Sequence, residues 1–355
     1  WATDEYSLLN TISFEEPEDE IHLCMIALGG GADPMDRPDA KKRPEWPQWE
    51  KGEIDEIKSM KDLQIYEWFS RAEAKRLGKK IIRSKWVYKY KEVEARYKCR
   101  LVAKGFMQSP FEYGETYAPV CKLATVRTLL SYMTSNHTWA FRGLDISTAF
   151  LNADLKDPVY MEPPEGYPHP EGDHLIWKLN KAIYGLKQSP RDWYDNLIDW
   201  LTGSPDDKRF ENPNGDKVGG AGFTASKNDP CLFYKKQGRN IMWTCVYVDD
   251  MMMTGDAGMI DEFMKIIDKK TGGRYAIRDL GTPKNFLGME IDRSEDGKTV
   301  KLTCTRYIEN IAKKYDCASY GKTKVPMMEN VSPEQDFCEP IPVDYVNLVM
   351  AAACA

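Results

Sequence analysis

The chain has 355 residues, of which 42% are hydrophobic, 12% aromatic and 29% charged. This composition is typical of a folded globular protein and excludes disordered and collagen-like chains, while the length favours a large core or two to three packed subdomains. No apolar run approaches the roughly 18 to 20 residues that a membrane helix needs, and the N-terminus lacks a signal-peptide pattern, so we expect no membrane partner.

Cysteine and histidine usage argues against a zinc site or a disulfide framework. The nine cysteines are scattered without a Cys-x-x-Cys pair, and the chain has only four histidines. Free, mostly buried thiols in a reducing compartment are the simplest interpretation. We therefore expect a cytoplasmic protein, with the nucleus as the alternative compartment.

Positive charge is concentrated in one segment of an acidic chain. The formal net charge is -6, yet eight basic and only two acidic residues lie between Arg83 and Lys104, a local net charge of +6. Whole-chain charge is a poor guide when charge is segregated along the sequence. This segment is therefore suited to contact phosphate groups.

The first half of the chain predicts an arm, a helix and a hairpin. Residues 1–45 mix acidic clusters with glycine and proline and predict a flexible N-terminal arm. An amphipathic helix begins at Trp46, and Leu63, Ile65 and Trp68 form a short extended piece. Residues 85–91 and 98–103 predict a β-hairpin with a basic face.

The second half alternates helices and strands. We predict helices over 125–136, from Ser189 to about Leu201 and over 256–270, and strands over 139–146, 231–235, 241–248, 251–254, 285–291 and 300–303. Ser189 is expected to cap its helix, with Asp192 at the capping-box position. Residues 202–222 are rich in glycine, proline and acidic residues and predict a surface loop. This order of elements predicts an α+β fold with an antiparallel sheet.

Three aspartates stand where predicted strands end. Asp249 and Asp250 interrupt an apolar stretch and must occupy a tight turn, where a lone pair of aspartates is usually structural. Asp145, however, ends another predicted strand. Carboxylates brought together in one sheet repel each other unless a hard divalent cation lies between them. The three acids therefore predict a site that binds two Mg²⁺ ions, with Mn²⁺ as an alternative, and that transfers phosphoryl groups.

Five motifs, in order, carry a family resemblance. They are KCRLVAKG at 98–105, LDISTAFL at 144–151, YGLKQSPRDWY at 184–194, YVDD at 247–250 and FLGMEI at 286–291. Together they resemble the reverse transcriptase domain of copia-type LTR retrotransposons, over roughly residues 46–350. Polymerases of this kind extend a primer on an RNA or DNA template.

The resemblance implies a right-hand polymerase with fingers, palm and partial thumb, and an antiparallel sheet in the palm. The expected fingers are residues 80–135 and 155–185, the palm is 136–154 and 186–280, and the primer grip and start of the thumb are 281–350. No acid cluster suited to RNase H and no integrase motif is found, so we expect both domains to be absent from these 355 residues.

The resemblance also implies roles for individual residues. Asp145, Asp249 and Asp250 correspond to the catalytic metal ligands, together with the backbone carbonyl of Ile146. Phe150 corresponds to an aromatic steric gate against ribose, although an ordinary core aromatic is the alternative. Nucleotide or template contacts are expected from Lys98, Arg100, Lys104, Gly185, Gln188 and Tyr247.

Further implied roles lie near the end of the domain. Lys284 is a candidate general acid for pyrophosphate. Phe286, Leu287, Gly288 and Met289 correspond to the primer grip. For the basic residues and the segment around Gln188, a solvated basic face and a plain helix start remain the alternatives.

The predicted function is RNA- and DNA-directed DNA polymerisation with deoxynucleoside triphosphates in retrotransposon replication, transposition and DNA integration. The expected partners are an RNA or DNA template, a DNA or tRNA-like primer, and the RNase H and integrase parts of a Pol polyprotein, within a cytoplasmic virus-like particle. A catalytically inactive nucleic-acid-binding remnant and a metal-dependent nuclease are the alternatives. Primer extension distinguishes the three.

Overall fold

The computed structural model describes residues 33–91, 95–212 and 215–314. The chain divides into two compact units. Within the described residues, the first unit contains 33–53, 87–91 and 95–99, and the second contains 54–86, 100–212 and 215–314. Two elements, the helix that begins at Trp46 and the hairpin after Arg83, continue from one unit into the other.

The first unit includes helix α1 (Arg37–Lys42) and the start of α2 (Trp46–Asp62). Asp36 caps α1 by accepting a hydrogen bond from the backbone N–H of Asp39. Arg37 pairs with the fully buried Glu53 at 3.1 Å, and the Tyr88 hydroxyl donates to the same carboxylate. Part of the predicted N-terminal arm is thus helical and packed, because a buried ion pair holds it, and residues 1–32 lie outside the described residues.

A hairpin follows strand β1 (Tyr66–Ser70), helix α3 (Arg71–Arg76) and strand β2 (Ile81–Ile82). Its strands are β3 (Ser84–Lys91) and β4 (Arg96–Ala103), which form a two-stranded sheet as predicted. The connecting residues 92–94 lie outside the described ranges.

A six-stranded sheet forms the centre of the second unit. Its strands are β5 (Ala140–Ile146), β8 (Thr224–Ala225), β9 (Leu232–Gln237), β10 (Asn240–Tyr247), β11 (Asp250–Gly255) and β12 (Ile277–Gly281). Their order is β12-β5-β11-β10-β9-β8, and every neighbouring pair is antiparallel. The predicted α+β class with antiparallel sheets is confirmed.

Helices cover the two faces of this sheet differently. The back face, which carries Leu144 and Met251, packs against α5 (Ser189–Thr202) and α6 (Ala257–Ile267). The front face, which carries Phe141 and Met252, packs against α4 (Leu123–Ser135) and a β-hairpin described below. Side chains alternate between faces along a strand, so Asp145 and Asp250 belong to the front face.

Two smaller sheets complete the second unit. Strands β6 (Asp154–Met161) and β7 (Leu175–Lys181) join β1 and β2 in the order β1-β7-β6-β2, in which β2 and β6 are parallel. Strands β13 (Asn285–Phe286), β14 (Met289–Arg293) and β15 (Val300–Thr303) form an antiparallel sheet, followed by α7 (Thr305–Lys314). The single strand predicted over 285–291 is therefore a hairpin with a turn at Leu287 and Gly288.

Helix α5 forms where predicted, but its start differs from the prediction. Ser189 is the first helical residue and not the N-cap, and its hydroxyl donates to the Ile183 carbonyl at 2.6 Å. The N-cap is Gln188, so Asp192 lies one residue beyond the capping-box position. It is buried, and one of its carboxylate oxygens has no hydrogen-bond partner within the described residues. Trp193 and Leu197 lie on the buried face as expected.

The segment predicted as a surface loop over 202–222 contributes to the core. Phe210 and Ala221 are buried in the cluster behind the sheet. Backbone hydrogen bonds from Ala221 and Phe223 to the last turn of α5 hold this segment against the helix. The polar composition of the segment gave no indication of this packing, because its apolar anchors, Phe210, Val218 and Ala221 among the described residues, are far apart in sequence.

Five cysteines lie within the described residues, and all are free: Cys99, Cys121, Cys231, Cys245 and Cys304. Only Cys304 is not buried. The Cys121 thiol donates to the Cys245 sulfur at 3.2 Å, within the cluster on the front face of the sheet. Across the described part of the chain, no helix is long and apolar enough to cross a membrane.

Gly185 allows two backbone segments to touch. Its φ is +89°, and the Ala103 N–H donates to the Tyr184 carbonyl at 2.7 Å. A Cβ atom on Gly185 would lie 2.2 Å from the Ala103 carbonyl oxygen, and one on Gly105 would lie 2.0 Å from the Gly185 oxygen. Strand β4 and the segment before α5 therefore approach too closely for a side chain.

Replacing Gly185 with alanine should destabilise the second unit by about 2–4 kcal/mol, because the clash adds to the cost of a left-handed backbone. Gly238→Ala is the matched control, since Gly238 also has a positive φ (+58°) but its Cβ would meet nothing within 4 Å. Urea unfolding measures both variants. Equal destabilisation in the two would show that the close contact at Gly185 contributes nothing.

Candidate active site

The three predicted acids meet at one end of the central sheet. Asp145 and Asp250 are direct partners in the β5–β11 ladder, and Asp249 precedes Asp250 in the turn between β10 and β11. The Ile146 N–H donates to the Asp249 carbonyl at 2.7 Å, which ties the turn to β5. Asp145 and Asp250, more than 100 residues apart in sequence, are thus direct neighbours on adjacent strands.

The turn itself is held from behind by α5. Val248 has a φ of +56°, a conformation that a β-branched residue rarely adopts. The indole N–H of Trp193 donates to the Val248 carbonyl at 2.7 Å. This bond fixes the backbone beside Asp249 and Asp250, and strained backbone of this kind is common at functional sites.

Four polar side chains form a row across the front face. The ladder places Arg278 opposite Asp145, Asp145 opposite Asp250, and Asp250 opposite Tyr247. The guanidinium Nε of Arg278 lies 3.8 Å from an Asp145 carboxylate oxygen. Two acids are therefore flanked by a cation on one side and a phenol on the other.

The row carries more negative than positive charge. Burial, followed by the charges of Asp249 and Asp145, raises the pKa of Asp250 to about 6, and Arg278 offsets only part of this shift. The raised pKa shows that the three carboxylates are close enough to repel one another. A further positive charge at this position would relieve that repulsion.

The donor set fits a hard divalent cation in chemistry, since carboxylate oxygens are the ligands that Mg²⁺ prefers. In the arrangement described here, no three Asp, Glu, His or Cys side chains of residues 33–91, 95–212 and 215–314 converge as a metal-holding group. Arg278 lies 3.8 Å from Asp145. Asp145, Asp249 and Asp250 supply the chemical type of ligand that such an ion prefers.

Phe150 lies close to the acids in a stack of three side chains. It belongs to a short 3₁₀ turn (Ala149–Asn152) that follows β5, and not to a regular helix. Its ring meets that of Tyr184 edge to face at 5.1 Å, and Arg100 lies over the Tyr184 ring at 5.2 Å. Burial raises the pKa of Tyr184, and the Asp249 charge adds to the rise. The stack therefore extends from the basic strand toward the acids.

Gln188 is buried and linked to a second glutamine. The Gln108 side chain donates to Gln188 at 3.0 Å and accepts from the Lys187 N–H at 3.0 Å. Together with the close contact at Gly185, this pair fixes the segment before α5 to the residues after β4. The close approach at Gly185 is to the protein's own backbone, and a ligand role for either residue stays a prediction.

The basic residues in β4 and directly after it divide between the two units. Lys98 belongs to the first unit, whereas Arg100 and Lys104 belong to the second. The Nε of Arg100 is buried and has no hydrogen-bond partner among the residues that the structure describes. Arg100 contacts Tyr184, whose pKa the charge of Asp249 also affects.

The predicted primer-grip residues lie on the front face. Leu287 and Gly288 have φ values of +51° and +75°, as a two-residue hairpin turn requires. Phe286 and Met289 are buried against the same cluster as Met252. The hairpin is thus packed on the face that carries Asp145 and Asp250, with its turn at the surface.

Arg278 is a site residue that sequence reasoning missed. Lys284, predicted as a general acid for pyrophosphate, is exposed just before β13. The cation that lowers the pKa of Asp250 is Arg278. The sequence around Arg278 does not indicate that it lies opposite Asp145. Only the β5–β12 register shows this pairing. The general-acid role of Lys284 stays a prediction.

The raised pKa of Asp250 predicts a stability change with pH. Because the folded-state pKa of about 6 exceeds the usual 3.8, the folded protein is destabilised as pH rises through this interval. Asp250→Asn should therefore be more stable than the parent at pH 8, by about 1 kcal/mol after screening by solvent. The difference should disappear near pH 4.

The measurement is thermal or urea unfolding in EDTA buffer from pH 4 to pH 8. Asp192, whose pKa burial also raises to about 6, is present in both proteins, and its contribution cancels. A stability difference that does not change with pH would contradict the assignment of the shift to Asp250.

Comparison with known proteins agrees with this geometry. Residues 73–329 match the family model described as reverse transcriptase (RNA-dependent DNA polymerase). The chain is 31% identical over 268 residues, 74% of its length, to the retrovirus-related Pol polyprotein from transposon TNT 1-94 of Nicotiana tabacum. It is 32% identical over 253 residues, 70% of its length, to the corresponding polyprotein from transposon RE1 of Arabidopsis thaliana.

A third relative is the transposon Ty1-H Gag-Pol polyprotein of Saccharomyces cerevisiae, 29% identical over 235 residues and 63% of this chain. The matches cover 18%, 16% and 11% of these three relatives, so the chain spans less than a fifth of their length. The family match covers most of the chain and includes all three acids. The chain belongs to the reverse transcriptase family of RNA-dependent DNA polymerases, and its relatives are Pol polyproteins of copia-type retrotransposons.

Proposed function

We propose that this chain is an RNA- and DNA-directed DNA polymerase that extends a primer 3′ hydroxyl with deoxynucleoside triphosphates. The observation that carries the proposal is the cross-strand pairing of Asp145 with Asp250, with Asp249 beside them in the turn. In the right-hand description, the six-stranded sheet is the palm, the β3–β4 hairpin belongs to the fingers, and β13–β15 begin the thumb. Its template, its primer and its role in retrotransposon replication belong to the same proposal.

The acids would hold Mg²⁺ through carboxylate oxygens, with the backbone carbonyl of Ile146 as a further ligand. Two ions at such a site lower the pKa of the attacking hydroxyl and neutralise the leaving pyrophosphate. The chain's own contribution is to fix the ligands. Trp193 holds the turn, and the β5–β11 ladder holds Asp145 against Asp250.

Two groups would position the substrates. Arg100 presents a buried Nε without a hydrogen-bond partner in the described residues, which suits a triphosphate oxygen. Lys98 on the same strand and Lys104 directly after it add positive charge. The turn of the β13–β14 hairpin would contact the primer backbone, since phosphate contacts fix the register of a strand. Lys284 would protonate the pyrophosphate.

Phe150 would exclude ribonucleotides. Its ring is only partly buried and is braced by Tyr184 at 5.1 Å, so it cannot retreat without moving a packed neighbour. A 2′ hydroxyl placed against the ring therefore meets a rigid surface. Deoxyribose lacks that hydroxyl and fits.

Asp249→Asn should reduce the rate of DNA primer extension on an RNA template by on the order of 10²–10³-fold or more, because one metal-binding charge is lost. Single-turnover extension with Mg²⁺ measures the effect. Asp256→Asn is the matched control: Asp256 caps α6 seven residues farther along, and asparagine caps equally well. Near-normal extension by Asp249→Asn would refute the assignment.

The same assay separates other activities. Loss of template-directed extension in the parent protein with retained binding would indicate a nucleic-acid-binding remnant. Mg²⁺-dependent cleavage without extension would indicate a nuclease. Either result would refute the proposed polymerase.

Phe150→Val should lower the preference for deoxynucleotides over ribonucleotides by about 5- to 150-fold, because a clash of about 1–3 kcal/mol is removed. The ratio of kcat/KM for the two nucleotides on one primer–template measures this preference. Phe150→Tyr retains the ring and should retain the preference. An unchanged ratio in an active Phe150→Val protein would show that Phe150 is only a core aromatic.

A further inference from the structure

Two buried thiols that have no role in the proposed catalysis touch on the front face of the central sheet. Cys121 is 3% exposed and Cys245 is fully buried, and their sulfurs lie 3.2 Å apart. The two cysteines are 124 positions apart in sequence, so only the fold brings them together. Two thiols in direct contact are the starting arrangement for a disulfide.

The surrounding contacts hold both thiols in place. The buried Asp229 carboxylate accepts from the Lys122 N–H at 3.1 Å and from the Thr125 hydroxyl at 2.5 Å, at the start of α4. Its other oxygen accepts from the Cys231 N–H at 2.9 Å, just before β9. Strand β9 pairs with β10, so one carboxylate connects the segment that carries the first thiol with the strands around the second.

Only a small movement is needed to join the two sulfurs. A disulfide bond is about 2.05 Å long, so the sulfurs must approach by roughly 1.2 Å from their distance of 3.2 Å. The other hydrogen bonds of the Cys121 thiol, to the Lys122 carbonyl at 3.7 Å and to Asp229 at 3.8 Å, are long and weak. Little is therefore lost when the sulfur turns toward its partner.

Burial restricts which oxidant reaches the pair. Both sulfurs lie in one apolar cluster with Val126, Leu129 and Met252, where thiols react slowly because the thiolate is the reactive form. A bulky disulfide reagent does not fit into such a packed cluster. Hydrogen peroxide is small and uncharged, so it enters when neighbouring side chains move apart, and the sulfurs meet again when the cluster closes.

We propose that Cys121 and Cys245 are a redox site, at which hydrogen peroxide oxidises the two thiols to a disulfide that cross-links the segment before α4 to β10. In the first step one sulfur attacks a peroxide oxygen and the O–O bond breaks, which gives a sulfenic acid and one water molecule. In the second step the partner thiol attacks the sulfenic sulfur and the S–O bond breaks, which gives the disulfide and a second water molecule. Two thiols thus lose two hydrogen atoms to one peroxide.

The cross-link acts on the strand that leads into the turn at Asp249. Cys245 lies in β10 opposite Leu232 of β9 and Met252 of β11. A bond that closes so long a loop lowers the entropy of the unfolded chain and stabilises the folded one. The oxidised protein should therefore resist unfolding more than the reduced protein, whether or not the chain extends a primer.

Peptide mapping tests the proposal on the whole chain. The protein is treated with hydrogen peroxide in EDTA buffer, its remaining thiols are blocked with N-ethylmaleimide in urea, and it is digested with trypsin. Cys121 is then in peptide 105–122, Cys231 in 228–235 and Cys245 in 240–265. The expected product joins 105–122 to 240–265, is two hydrogen atoms lighter than the sum of the two peptides, and is separated by dithiothreitol.

The unfolding temperature provides a second measurement. Oxidation should raise the Tm of the parent protein by about 3–10 °C. Dithiothreitol, which reduces disulfides and leaves methionine sulfoxide intact, should reverse the rise. Cys121→Ala and Cys245→Ala should each abolish both the linked peptide and the reversible rise, because the remaining thiol has no partner. The matched controls Cys231→Ala and Cys304→Ala remove other free cysteines and should retain both.

Four results would overturn the proposal. They are the absence of the linked peptide, a link of either peptide to 228–235 in its place, oxidation of either sulfur to a sulfinic acid without a link, and an equal yield of the link when the protein is oxidised in urea. The last result would show that the fold contributes nothing to the pairing. The two alanine variants remove the same bond from opposite ends, so failure of one to fold leaves the other as the test.

Discussion

The repulsion between Asp145 and Asp250 is the constraint around which the second unit is organised. Hydrogen bonds of the β5–β11 ladder place two carboxylates opposite each other, although their charges favour separation. The surrounding structure opposes that separation. Large apolar side chains on the back face pack against two helices, Trp193 holds the turn, and Arg278 offsets part of the charge. Stability provided by the core is used to keep an unfavourable arrangement of charge in place.

Local sequence patterns predicted most of the helices and strands. The α4, α5 and α6 helices and the strands β5, β9, β10 and β11 were predicted because each buries one face against a large core. Strands β6, β7, β8 and β12 were not predicted. The errors occurred where tertiary contacts compete with local preference. Ser189 has the composition of a cap, yet the Ile183 carbonyl takes its hydroxyl, and Asp192 is buried by neighbours that the sequence does not reveal.

The candidate site was predictable to the extent that motifs mark it. Asp145, Asp249 and Asp250 lie at strand ends next to apolar runs, which is a local signal. Arg278 and Gln108 have no such signal, because their importance depends on register and on contacts across the chain. The roles predicted for Lys98, Lys104, Lys284 and Tyr247 depend on bound substrates, which folding alone does not determine.

The buried thiols of Cys121 and Cys245, on the front face of the sheet, make local opening of the sheet measurable. Burial and the Asp229 charge raise the pKa of Cys231 to about 12, and the contact with Cys121 together with burial raises the pKa of Cys245. Alkylating reagents attack thiolates, so these groups are inert while the sheet is closed. Modification of Cys245 would therefore require local opening of β10, two residues before Tyr247. The rate at which Cys245 is labelled therefore measures local opening of β10, the strand that leads into the turn at Asp249.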